Sequence, residues 1–206
     1  MSKKSKIIIY VLLTIMALYF LSPFVYMLFT TFKTEAEAIA YPPKMFPKKW
    51  LVENYLNAWN AQPFGRYLWN SIVVTVGTTA GQIISCSLVA YGFARYNFKG
   101  KNVLFMILLS TMMIPWDVTM IPQYMEFKIF GWINTLKPLI VPAWFGSAYY
   151  IFLMRQFLMG VPKDFEEAAR IDGANAFQIY WRIFMPIMKP QLILVGVLNM
   201  ITVWND

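Results

Sequence analysis

The sequence predicts an all-α fold, a polytopic transmembrane helical bundle, and three observations carry that reading. Of 206 residues, 59% are hydrophobic and only 14% charged, and the mean hydropathy is +0.51, too apolar for an ordinary soluble domain. The apolar residues are gathered into runs of bilayer length. Lys and Arg fall mostly in short segments between those runs, so the formal charge of +8 reads as membrane topology and not as affinity for nucleic acid.

The elements follow in order. A short N-terminal segment, 1–6, carries Lys3, Lys4 and Lys6 and precedes a first span at about 7–32. At roughly 25 residues this run can cross a hydrocarbon core of about 30 Å with some tilt. A signal peptide has an apolar core of only about 7 to 15 residues and a small-residue cleavage site, and neither description fits. Residues 33–69 are polar, contain Pro42, Pro43 and Pro47, and predict an extramembrane segment with a helix around Val52 to Asn60.

The second span, about 70–93, places Gly77, Gly81 and Ser85 on one helix face, where a neighbouring helix can approach closely. Packing within the chain is the favoured reading over a contact between subunits. After a basic turn holding Arg95, Lys99 and Lys101 comes a third span, about 102–121, interrupted by Pro115. A polar connection from Pro122 to Lys137 leads to a fourth span, about 138–157. A long polar loop, 158–189, then precedes a fifth apolar segment, 190–206, opened by Pro190. That segment is slightly too short to cross and lacks a basic anchor, so the chain reads as C-terminally truncated.

Alternating the spans puts Lys3, Lys4, Lys6, Arg95, Lys99, Lys101, Arg155, Lys163, Arg170, Arg182 and Lys189 on one side of the bilayer. By the positive-inside rule that side is cytoplasmic, which places the N-terminus and the loop 158–189 in the cytoplasm.

Several kinds of chemistry are absent from the sequence. There is one cysteine, Cys86, so no intrachain disulfide can form. There is no histidine, which removes imidazole metal sites and Ser-His or Cys-His nucleophiles. No phosphate-cradling G-x-x-x-x-G-K-[ST] occurs, and Gly100-Lys101 lacks the upstream glycine. The chain is therefore expected to hold no metal or cofactor and not to be an enzyme by itself. Charges within spans are scarce: Asp117, near the outer end of the third span, reads as interfacial in preference to a substrate contact. Trp116, Tyr124, Trp144, Tyr149, Tyr150 and Asn199 suit contacts to a neutral sugar. Interfacial aromatic belts explain most of them equally well, so substrate-binding residues stay unassigned.

Within the loop, Asp164 can cap a helix, with Glu167 reaching back, and Gly173 can end it in a left-handed turn. A second helix from about Asn175 to Phe184 carries Phe177, Tyr180, Trp181 and Phe184 at helical spacing and leads through Pro186 and Pro190 into the next span. Two readings of this helix pair are open: a rigid knob projecting from the membrane, or an amphipathic connector lying against the headgroups, which Trp181 and Arg182 also suit.

The loop resembles a known pattern. Glu167-Ala168-Ala169, three residues, Gly173, nine residues, then Ile183-Phe184-Met185-Pro186 is similar to the EAA loop of the membrane subunits of bacterial ABC importers, with Met185 where Leu is usual. The likeness extends along nearly the whole chain. Ala90-Tyr91-Gly92-Phe93-Ala94-Arg95-Tyr96, Met113-Ile114-Pro115, Ile121-Pro122, Asn134-Thr135, Phe152 to Phe157 and Trp204-Asn205-Asp206 resemble the carbohydrate branch, specifically maltose permease G-type subunits. Thr31-Phe32-Lys33-Thr34 and Glu53-Asn54-Tyr55 extend it to the first loop.

The resemblance implies six spans in the full-length protein, of which five are here with the fifth cut short. It implies a permease subunit of a binding-protein-dependent sugar importer in a bacterial or archaeal plasma membrane. The partners implied are a dimer of ABC ATPase subunits, a second permease subunit, an extracytoplasmic solute-binding protein, the sugar and membrane lipid. By the same carry-over, Glu167, Ala168, Ala169, Asp172 and Gly173 would meet the ATPase subunit, and Asp164, Phe177, Trp181 and Pro186 would support the loop helices. For Glu167 a purely local capping role stands beside partner contact. A permease for a non-sugar solute, and a non-transporting multi-span scaffold, remain as alternatives.

Overall fold

The computed structural model describes residues 3–205, so Met1, Ser2 and Asp206 lie outside it. Among the described residues every regular element is helical and no strand occurs. Two compact units divide near Arg66, Met1–Arg66 and Tyr67–Asp206.

In the first unit, α1 (Lys3–Thr30) is apolar on all sides and has no buried residue. Such a helix requires lipid or a partner around it. The chain beyond it folds back on the helix end. Asn54 Nδ2 donates to the carbonyls of Thr31 and Lys33 at 2.9 Å each, and the Leu51 amide donates to Phe32 O at 3.0 Å. The Trp50 ring packs on Phe29 and Phe32, with centroids 5.8 and 5.1 Å apart. Two short helices punctuate this segment, α2 (Glu35–Ala38), capped by Thr34, and α3 (Glu53–Ala61), close to the expected 52–60.

The second unit is organised by α4 (Phe64–Arg95), which starts six residues before the expected 70. Its glycine face packs within the chain: a Cβ added at Gly77 would lie 3.1 Å from Ile140, and one at Gly81 would lie 2.7 Å from the Trp144 ring. Only a residue without a Cβ lets the Trp144 indole lie on the α4 backbone.

The third expected span is not one straight helix. After α5 (Lys101–Ser110) and a 3-10 turn (Thr111–Met113), Ile114 turns extended with ψ 114° ahead of Pro115. The proline ring disfavours helical geometry in the residue before it. α6 (Trp116–Ile129) then leaves at 97° to the preceding segment, so part of the expected polar connection after Pro122 is helical.

The fourth expected span, 138–157, is likewise divided. α7 (Lys137–Ile140) passes into a 3-10 turn (Val141–Phe145), Gly146 adopts φ +84°, and only then does α8 (Ala148–Met159) begin. The fifth is α12 (Lys189–Trp204), set at 73° to the segment Ala176–Ile187 before it. By length and composition α1 and α4 can each cross a bilayer, and the two bent pairs raise the number of candidate spans to four if each is one broken span.

The core of the second unit lies where α4, α8 and α12 meet. Cys86, Ala90 and Tyr91 pack with Ile151, Met154, Leu158 and Val195. A polar contact is buried beside it: Asn199 Nδ2 donates to Thr79 Oγ1 at 2.9 Å and to Thr78 Oγ1 at 3.3 Å, joining α12 to α4. In a lipid environment an unpaired amide is costly, so such contacts hold helices in register.

Candidate functional site

Loop 158–189 is a packed helical structure rather than a connector without tertiary contacts. It opens with α9 (Asp164–Ile171), whose first turn holds Asp164, Glu166 and Glu167. Three acids there complement the unpaired amides and the positive end of the helix dipole. Asp164 is not the cap, however. Lys163 occupies that position with helical φ −71° and ψ −22°, and no side chain caps the helix. Because the chain is already helical at Lys163, Asp164 falls inside the first turn, past the extended geometry that a side-chain cap requires.

Gly173 ends α9 as expected. At φ +80°, its amide donates to Arg170 O at 3.1 Å, and the next amide, Ala174, donates to Ala169 O at 2.9 Å. This is a Schellman closure, which needs a left-handed residue at that position. Nothing lies within 4 Å of a Cβ added to Gly173, so backbone conformation and not crowding selects glycine.

The following helix has a true capping box. Asn175 Oδ1 accepts from the Gln178 amide and Gln178 Oε1 accepts from the Asn175 amide, both at 2.9 Å, to start α10 (Ala176–Ile179). A π turn (Tyr180–Phe184) and α11 (Met185–Ile187), with Pro186 in its first turn, complete the loop.

The π turn redistributes the aromatic residues. Its i→i+5 bonds change the angle between successive side chains from that of an α turn, and along this stretch Tyr180 and Phe184 point inward while Phe177 and Trp181 point out. Tyr180 and Phe184 are 4% and 0% exposed, whereas Phe177 and Trp181 are 68% and 56% exposed and stack with an interplanar angle of 8°. The expected support from Phe177 and Trp181 is thus supplied by the other pair.

Beneath the loop, Ala169, Ile179, Tyr180, Phe184 and Met188 belong to the same buried cluster as α4 and α8. Tyr180 Oη lies 2.8 Å from Ser87 Oγ, and the Tyr91 ring packs on those of Tyr180 and Phe184 at 5.3 and 5.1 Å. Arg95 joins three elements: its Nη2 donates to Leu158 O and Val161 O at 2.8 Å each, and its guanidinium lies 4.5 Å from the Phe184 ring centroid. A planar guanidinium can bond carbonyls at its edge while its face rests on an aromatic ring. Glu166, only 8% exposed, takes a 2.7 Å bond from Arg170. That hydrogen bond, with the carboxylate charge, raises the Arg170 pKa above its ordinary value.

Of the motif residues, Ala169 is buried against the core, while Glu167, Ala168, Asp172 and Gly173 are exposed. An open groove lies beside them, lined by Pro162, Phe165, Ala168, Asp172 and Ile183 among others. Ile171, 86% exposed, stands at the tip. The outer surface of the loop therefore presents exposed apolar side chains among charged ones, on a base fixed by hydrogen bonds. Glu166 and Ser87 carry no motif of their own in the sequence, although the Glu166–Arg170 spacing of four on one helix is a signal that could have found that pair. No group of three or more His, Cys, Asp or Glu able to hold a metal occurs among the described residues.

Fold and site together define a multi-span helical membrane protein with a packed, largely polar helical loop between two of its apolar segments. Residues 82–206 match the family described as binding-protein-dependent transport system inner membrane component, and the chain belongs to that family. It is 37% identical over 190 residues to a "Probable ABC transporter permease protein" of Pyrococcus horikoshii, covering 90% of this chain and 68% of the relative. It is 29% identical over 185 residues to the diacetylchitobiose uptake system permease protein of Streptomyces coelicolor, covering 89% of this chain and 61% of that protein. A crystal structure of a bacterial ABC transporter involved in import of the acidic polysaccharide alginate superposes with a TM-score of 0.85 at 27% identity, over 100% of this chain and 74% of that one. The chain thus spans about two thirds of the length of these curated relatives, which are permease proteins and not enzymes.

Proposed function

We propose that this chain is a membrane-spanning subunit of an ATP-driven, binding-protein-dependent sugar importer, supplying half of a translocation pathway and coupling to the ATPase through loop 158–189. The observation that supports coupling most directly is the contrast within that loop. Its base is fixed by Arg95, Ser87 and a buried aromatic cluster, while Ile171, Phe177 and Trp181 are presented to the outside. Exposed apolar side chains on a rigid mount suit a docking knob, because little conformational entropy is lost on binding. A connector resting on headgroups needs no such anchoring.

In this reading the N-terminus and the loop face the cytoplasm, where an ATPase dimer meets Glu167, Ala168, Asp172 and Gly173. A second permease subunit completes the pathway, and an extracytoplasmic binding protein delivers the solute. Closure of the ATPase pair would shift α9 and bias the spans between two global states. A sugar substrate is supported by the carbohydrates in the names of the diacetylchitobiose permease and the alginate importer.

The test uses the full-length subunit expressed with its partners. Replacing the exposed Ile171 and Phe177 together by Asp should abolish co-purification of the ATPase and binding-protein-stimulated ATP hydrolysis, with the thermal midpoint of the permease unchanged. Undiminished uptake of sugar by that variant would refute the knob.

A further inference from the structure

Three cationic side chains gather where α4, α5 and α8 come together. Arg155, on α8, donates through Nε to Phe93 O at 3.4 Å, and its guanidinium lies 4.1 Å from the centroid of the Phe105 ring. Lys101 opens α5 one helical turn before Phe105, and its Nζ donates to Tyr96 O at 2.9 Å. Lys163, between α8 and α9, is exposed, and its charge and that of Arg155 both act on the Lys101 ammonium. Among the described residues none of the three has a carboxylate within ion-pair distance, the Glu166–Arg170 pair leaving them out. The hydrogen bonds and the ring contact keep Lys101 and Arg155 from moving apart, so a like-charge repulsion is built into this corner. Both side chains are part-exposed and keep N–H groups to donate: one acceptor engages the Lys101 ammonium, and the Arg155 bond to Phe93 uses Nε alone.

The surroundings select the anion. α4 is long and apolar enough to cross a bilayer, and Phe93 lies in its last turn, so the cations stand at the depth of the lipid headgroups. Past Lys101, α5 is apolar, and Leu104 and Ile107 are 51% and 56% exposed, a surface for an acyl chain leading away from the charged corner. We propose that this corner binds an anionic phospholipid, a phosphodiester with no cation of its own. Its phosphate oxygens accept from Lys101, Arg155 and Lys163, and one acyl chain lies along α5. An acidic side chain of a partner protein would answer the charges and leave Leu104 and Ile107 uncovered. Phosphatidylethanolamine and phosphatidylcholine would bring an ammonium into a cluster that already repels cations, so phosphatidylglycerol is favoured over both.

A free phosphate ester shares the headgroup chemistry, and one experiment separates the two. The full-length protein, purified in detergent, is titrated with phosphatidylglycerol, phosphatidylethanolamine, phosphatidylcholine and soluble glycerol phosphate, and bound ligand is counted by native mass spectrometry. Phosphatidylglycerol should bind tightest. Lys101→Gln and Lys163→Gln should each weaken it about fivefold, whereas Lys99→Gln, an equal loss of charge in the same basic turn, should change it by less than about twofold. Soluble glycerol phosphate binding as tightly as the lipid would assign the corner to a free phosphate ester and overturn the lipid. Equal retention of phosphatidylglycerol and phosphatidylethanolamine, or a loss with Lys99→Gln as large as with Lys101→Gln, would leave only diffuse surface charge and overturn the proposal.

Discussion

Ser87 on α4 and Tyr180 in the π turn share a hydrogen bond of 2.8 Å between their hydroxyls, 93 residues apart in sequence. Both side chains are buried, at 0% and 4% exposure, so neither hydroxyl can turn to water if the other is removed. The bond therefore ties the loop 158–189 to α4, and its loss is felt most at Tyr180, since Ser87 Oγ also donates to Ile84 O at 3.1 Å.

Ser87→Ala should cost about 1–3 kcal/mol, since it leaves the buried Tyr180 hydroxyl unpaired, and Tyr180→Phe should cost less, since Ser87 Oγ keeps its 3.1 Å bond to Ile84 O. The double variant should cost less than the sum of the two. Thermal unfolding of the purified complex in detergent would read this double-mutant cycle; strict additivity would mean that the two hydroxyls do not interact.

Arg95→Lys keeps the charge but loses the planar contact with Phe184 and the paired donation to Leu158 O and Val161 O. It should destabilise the complex by about 2 kcal/mol, close to the effect of Arg95→Ala, because the contact depends on the shape of the guanidinium and not on its charge. A lysine variant as stable as the parent in the same melting assay would contradict this.

Gly173 adopts φ +80° in open space, so substitution there strains the backbone without a clash. Gly173→Val should cost about 1–2 kcal/mol and Gly173→Asn distinctly less, as asparagine tolerates the left-handed region. Circular dichroism melting curves of the three proteins should fall in the order Gly, Asn, Val.

At Gly81 the constraint is the reverse. A Cβ there would meet the Trp144 ring at 2.7 Å, while the backbone is ordinary α-helix. Gly81→Ala should therefore lower the melting temperature, and adding Trp144→Leu should recover part of the loss. If Gly81→Ala were harmless in the parent background, the close packing of Trp144 on α4 would be in doubt.

Much of this was legible in the sequence because it rests on local rules. Composition and run length give a helical membrane protein. The Gly77, Gly81, Ser85 spacing predicts a close helix approach, and Gly173 marks a left-handed helix end. The errors lie where local geometry departs from the α repeat. Phe177, Tyr180, Trp181 and Phe184 form one face of an ideal helix, but the π turn divides them into an inner and an outer pair. The break at Pro115 was legible as an interruption, but Gly146 divides what hydropathy reads as a continuous span, since hydropathy records burial in lipid and not the direction of the backbone. Asp164 looks like a cap until Lys163 is seen to be helical already.

The sequence by itself determined the all-α membrane class, the position of the loop, its turn at Gly173 and the absence of histidine chemistry, because each depends on residue type or on neighbours within a few positions. Only the tertiary structure decided that Arg95 braces α8, that Ser87 holds Tyr180, that Glu166 and not Glu167 is the buried acid, and that Lys101, Arg155 and Lys163 gather where α4, α5 and α8 come together. Except for the choice between adjacent acids, these relationships join residues brought together by helix packing or by the return of a loop. The rules of helix periodicity act over a turn or two and carry no information about which distant backbone carbonyl or ring will stand opposite a given side chain.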